Sequence, residues 1–70
     1  MNLSEIEKLR TYLQRRFNDP KLEVRARTNK DDSAEVYSGD EFLGVLFKDD
    51  EEGDVSYDFN MAILEIDLDT

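Results

Sequence analysis

The stretch Ser33-Ala-Glu-Val-Tyr-Ser-Gly-Asp-Glu-Phe-Leu-Gly-Val-Leu-Phe-Lys48 decides the fold. At its centre, Gly39-Asp40 is a two-residue hairpin turn of the Gly-X type, which needs a positive φ at its first position. Strands are expected over 33–38 and 41–48, with Ser38 opposite Glu41, Val36 opposite Leu43 and Ala34 opposite Val45. The loop Asp49-Asp-Glu-Glu-Gly53 follows, then a further run from Asp54. If Lys48 faces Asp54, then Phe47 meets Val55, Val45 meets Tyr57 and Leu43 meets Phe59. Both registers put Ala34, Val36, Leu43, Val45, Phe47, Val55, Tyr57 and Phe59 on one face, the expected core.

Upstream, Leu22, Val24 and Ala26 alternate with Glu23, Arg25 and Arg27, the pattern of a half-buried strand. Val24 and Ala26 join the core face if the connection to the next strand is odd in length, over 29–31 or 28–32. The opposite face then carries Arg25 beside Glu35 as a cross-strand ion pair. It also carries a small apolar patch of Tyr37, Phe42 and Leu46, next to the side-chain gap at Gly44.

The chain opens with a helix. Ser4 and Glu7 have capping-box spacing, and Ile6, Leu9, Leu13 and Phe17 form one helical stripe flanked by Tyr12. Glu5 and Glu7 sit at the positive end of the helix dipole, and Arg15 and Arg16 at the negative end. Asn18 suits a left-handed C-terminal position, and Asp19 before Pro20 is pushed extended, so the helix is expected over 4–17.

At the other end, Leu64-Glu-Ile-Asp-Leu68 alternates cleanly but one residue out of phase with Val55, Tyr57 and Phe59. In the register above, Met61 already lies opposite Glu41, so residues 62–68 run past the hairpin tip. Three placements are open: a strand paired with a second copy, a turn back onto an edge of its own sheet, or a short helix capped by Asn60. The alternation favours a strand. Met61, Ile63, Leu64, Ile66 and Leu68 are therefore the candidate self-association residues.

Composition narrows the functions. The 70 residues hold no Cys and no His, which removes disulfides, cysteine nucleophiles, Cys/His zinc sites and the commonest general base. No apolar run is long enough for a membrane span or a signal peptide, which points to a soluble, cytoplasmic chain. A domain of this size buries only about 60% of its unfolded surface. Its core leaves roughly 3–5 kcal/mol of net stability, so self-association is the cheapest remaining stabiliser.

Charge is divided unevenly. Residues 1–30 hold eight bases and four acids, a net of +4; residues 31–70 hold one base and fourteen acids, a net of −13. The simplest expectation is that the halves fold together and neutralise each other. The acidic loop 49–54 fails the EF-hand pattern, because Gly53 falls fifth and Asn60 twelfth from Asp49. No nucleotide-binding or metalloprotease motif is present, and no metal or cofactor is expected. The order of helix and three strands resembles the start of double-stranded RNA-binding domains, with Arg10, Arg15, Arg16, Arg25 and Arg27 as phosphate contacts. The basic C-terminal helix of that family is missing, however, and a net charge of −9 repels a polyanion at long range.

Lys21-Leu-Glu-Val-Arg-Ala-Arg27, Asp31-Asp-Ser-Ala-Glu-Val-Tyr37, Gly39-Asp-Glu-Phe42, Gly44-Val-Leu-Phe47 and Met61-Ala-Ile-Leu64 together resemble a family of short bacterial proteins. It is catalogued as domain of unknown function 3126 and familiar from alphaproteobacteria. The resemblance implies a cytoplasmic single-domain protein and carries no activity, ligand or catalytic residue with it.

The expected architecture is α+β: one N-terminal helix packed on one face of a three- to four-stranded antiparallel meander sheet, with the C-terminal segment as an extra strand, all within one domain over 1–70. The expected function is a non-enzymatic interaction module that forms a homodimer through 61–68, with the Tyr37/Phe42/Leu46 patch as a second candidate contact and an unknown protein as an alternative partner. The alternative is a nucleic-acid or basic-protein binder using the basic N-terminal half or the acidic C-terminal half.

Overall fold

The computed structural model describes residues 1–27 and 30–69, with backbone alone at 30, 31 and 52. Helix α1 (Leu3–Arg16) leads into strands β1 (Leu22–Arg27), β2 (Lys30–Ser38) and β3 (Glu41–Asp49). A single 3-10 turn (Glu51–Gly53), β4 (Ser56–Met61) and a one-turn helix α2 (Glu65–Leu68) complete the chain. The strands form one antiparallel sheet in the order β1-β2-β3-β4, and α1 lies on one face. The α+β meander is as expected.

α1 starts one residue early because its cap is Asn2, not Ser4. The Glu5 N–H donates to Asn2 Oδ1 at 2.8 Å, and Glu5 Oε1 accepts the Asn2 N–H at 3.1 Å. Two boxes therefore overlap in sequence, and the earlier one forms. At the far end Asn18 takes the expected left-handed conformation, with φ of 53°. Asp19 then accepts from the Lys21 N–H at 2.9 Å and from Ser38 Oγ at 2.7 Å, which ties the helix exit to the end of β2. Those two hydrogen bonds, Ser38 first, hold the Asp19 carboxyl below its ordinary range.

The β1–β2 pairing places Val24 opposite Val36 and Ala26 opposite Ala34, but β2 starts at Lys30 rather than Ser33, the register shifts between Ala26 and Arg27, and Ala26 is exposed rather than part of the core. Lys30 already pairs with Arg27; the rest of the connection, Thr28 and Asn29, lies outside the described residues.

β3 is where the structure departs from expectation. Ser38 does face Glu41, and Gly39 has φ of 60°, as the turn demands. Tyr37 then pairs with Phe42, but Val36 pairs with Gly44 and Ala34 with Leu46, so Leu43 is an extra, bulged residue. One inserted residue reverses the faces of everything beyond it. Leu46 is buried in the core at 2% exposure, while Phe47 lies on the opposite face at 42%. The β3–β4 register moves with it: Lys48 faces Tyr57, Leu46 faces Phe59 and Gly44 faces Met61. Val55 lies outside β4 and is exposed.

The core is Ile6, Leu13, Leu22, Val24, Ala34, Val36 and Leu46, with Leu9, Leu43, Tyr57 and Phe59 packed around it. Gly44 is no gap. A Cβ there would overlap the Asn60 carbonyl oxygen and come within 2.8 Å of Phe59 Cε1. The missing side chain is what lets β4 and the Phe59 ring close over β3.

Candidate docking surface

The C-terminal segment takes the helical alternative, not the strand. Its cap is Leu64 rather than Asn60, which remains in β4 opposite Val45. β3 still offers Leu43, Phe42 and Glu41 beyond Met61, so the hairpin is not too short. The bulge at Leu43 disrupts the ladder there, and the chain leaves the sheet. Backbone groups without ladder partners find local ones. The Asp67 N–H donates to the Leu64 carbonyl at 2.9 Å, and the Leu64 N–H to Asp67 Oδ2 at 3.2 Å.

This turn buries nothing. Met61, Ile63, Leu64, Ile66 and Leu68 are between 51% and 72% exposed. Met61, Ile63 and Asp67 line a depression with Glu41, Phe42 and Leu43; Leu64, Ile66 and Leu68 do not line it.

The outer sheet face does carry an apolar patch, with a different membership. Tyr37 and Phe42 meet edge to face at 5.5 Å between centroids. Leu46 belongs to the core, and Val45 and Phe47 replace it on the outside. The sequence signal for these two was Gly44, an in-strand glycine that marks a bulge. Arg25 stands opposite Glu35, but its guanidinium turns to Glu23 at 3.2 Å and lies 4.0 Å above the Tyr37 ring. Glu35 accepts instead from the Tyr37 hydroxyl at 3.2 Å.

On the helical face, α1 leaves the β4 side of the sheet partly open. A groove of about 480 Å³ runs between Leu9, Tyr12, Leu13 and Arg16 of the helix and Tyr57 and Phe59 of β4, floored by Leu46. Phe17 closes one end, edge to face with Phe59 at 6.4 Å. β4 is the edge strand, so its outward N–H and C=O groups have no neighbouring strand.

The five candidate phosphate contacts do not converge. Arg10, Arg15 and Arg16 are on α1, over one face of the sheet; Arg25 and Arg27 alternate with the core residues of β1 and point to the other. The two halves of the chain also do not neutralise each other pair by pair. Among the described residues the ion pairs are Arg25 with Glu23 and Lys48 with Glu5. Lys8, Arg10, Arg15 and Arg16 make none with another described residue.

Sequence reading missed one polar cluster. Glu5 accepts from Lys48 Nζ at 2.6 Å and from the Tyr57 hydroxyl at 2.7 Å. These bonds, Lys48 first, then Tyr57, then the Asn2 N–H, pull the Glu5 carboxyl from 4.5 to about 2. A carboxylate held that low is a weak proton acceptor near neutral pH; its evident work is to pin α1 to the sheet. In the acidic loop, Asp49 Oδ1 accepts the Glu51 N–H at 3.1 Å. No helix among the described residues is long and apolar enough to cross a membrane.

Residues 5–67 match the family model described as Protein of unknown function (DUF3126), and the chain belongs to that family. No curated protein and no solved structure matches it.

Proposed function

We propose that this member of the DUF3126 family is a non-enzymatic interaction module that associates with a second copy of itself through residues 61–68. The supporting observation is the exposure of five large apolar side chains in eight residues, Met61, Ile63, Leu64, Ile66 and Leu68. Fully burying each one is worth about 1.5–3 kcal/mol. That sum is large against the roughly 3–5 kcal/mol a core of this size supplies alone. A partner surface that covers the segment would therefore change the stability of the chain as well as its assembly.

Sedimentation equilibrium of the full chain and of an Ile63→Asp/Ile66→Asp variant tests the reading. Both positions are exposed, so the variant keeps its fold and its circular dichroism spectrum. The full chain should sediment as a dimer that dissociates on dilution, and the variant as a monomer. A full chain that stays monomeric at the highest attainable concentration would end the proposal.

A further inference from the structure

We infer that the C-terminal segment of one copy is received by the groove between α1 and β4 of the other, so that two chains exchange tails. This rests on the self-association proposed above and adds its acceptor.

Charge selects the acceptor. The segment alternates apolar residues with Glu65, Asp67 and Asp69. Two such segments packed on each other would bring six acids together. The groove offers the opposite sign: an apolar floor at Leu46 and Phe59, with Arg16 on its wall and Arg15 beside it in the last helical turn. Neither arginine has an ion-pair partner among the described residues. The edge of β4 supplies free backbone groups along the same side, which suits an extended segment added to the sheet.

Turn chemistry selects a second copy over the chain's own tail. To lie back along its own β4, the chain would have to reverse within 62–64. Hairpin loops of two or three residues place Gly, Asn or Asp at a positive φ. Ala62, Ile63 and Leu64 offer none, and the described positive-φ residues are Asn18, Gly39 and Gly53. Unwound from its place beside the start of β3, the tail reaches another molecule instead. The helical turn over 65–68 buries nothing, so it unwinds on docking; extended, the eight residues span about 25 Å, close to the 23 Å short dimensions of the fold. Each copy has one tail and one groove, so a two-fold axis closes the exchange.

The chain has no cysteine, which makes site-directed cross-linking clean. Full-length Tyr12→Cys and Ile66→Cys variants, both at exposed positions, are mixed and mildly oxidised. A disulfide joining position 12 of one chain to position 66 of another is expected, and Arg16→Glu should weaken the native dimer about tenfold. If the native chain dimerises but only position 66 links to position 66, the tail reading stands and the groove is overturned. Association unchanged by Arg16→Glu also overturns the groove. So does a monomeric 12–66 disulfide in the double variant, which would show a chain occupying its own groove. A monomeric native chain without cross-links overturns groove and tail together.

Discussion

The Tyr57 hydroxyl donates to the Glu5 carboxylate at 2.7 Å across 52 residues of sequence, joining the first turn of α1 to the edge strand of the sheet. Lys48, directly opposite Tyr57 on β3, completes the contact at 2.6 Å. Three elements are locked at one point.

The lock has a pH window. Glu5 has its pKa lowered from 4.5 to about 2, so its contribution is complete above 4.5 and fades as pH falls toward 2. Lys48 and Tyr57 have theirs raised, chiefly by their hydrogen bonds to Glu5. Their contribution is complete below the ordinary values of 10.5 and 10.0 and fades as pH rises beyond them. Thermal melts should fall at both ends of the range. Glu5→Gln should flatten the acid limb. Tyr57→Phe should cost about 1 kcal/mol at neutral pH in urea unfolding.

The helix start distinguishes two overlapping caps. Asn2→Ala removes an acceptor used by the Glu5 N–H and should cost about 1 kcal/mol. Ser4→Ala lies inside the helix and should stay within about 0.5 kcal/mol of the native chain. Urea midpoints of the two variants, measured side by side, check the assignment.

The bulge makes a prediction that the regular hairpin reverses. Leu46→Ala empties a buried site and should cost about 2–5 kcal/mol, enough to unfold much of the chain. Phe47→Ala alters the outer face and should cost less than about 1 kcal/mol. Circular dichroism at 25 °C would show the first largely unfolded and the second native; the opposite order would restore the unbulged register.

Gly44 tests the same geometry from the other side. Gly44→Ala drives a methyl group into the Asn60 carbonyl and the Phe59 ring, both parts of β4. The strands must separate, at a cost of about 1–3 kcal/mol. Hydrogen exchange should rise first in β4, because it is held on one side only.

Sequence by itself determined the parts whose signals are local. The Gly39-Asp40 turn, the alternation of Leu22 through Ala26, the helical stripe from Ile6 and the left-handed Asn18 each follow from a few neighbouring residues. So does the apolar character of the last residues. Tertiary structure decided which face of β3 points inward. From Leu43 to Phe47 apolar residues occupy both phases, so alternation cannot choose between Leu46 and Phe47. Packing chooses: only Gly44 admits Phe59 against the strand, and that contact needs one residue to bulge at Leu43. The same bulge ends the ladder at Met61 and turns the tail into a helical turn. It also leaves Val45 and Phe47 outside and the α1–β4 groove uncovered. Each of these follows from a contact between residues far apart in the chain, where no local pattern reaches.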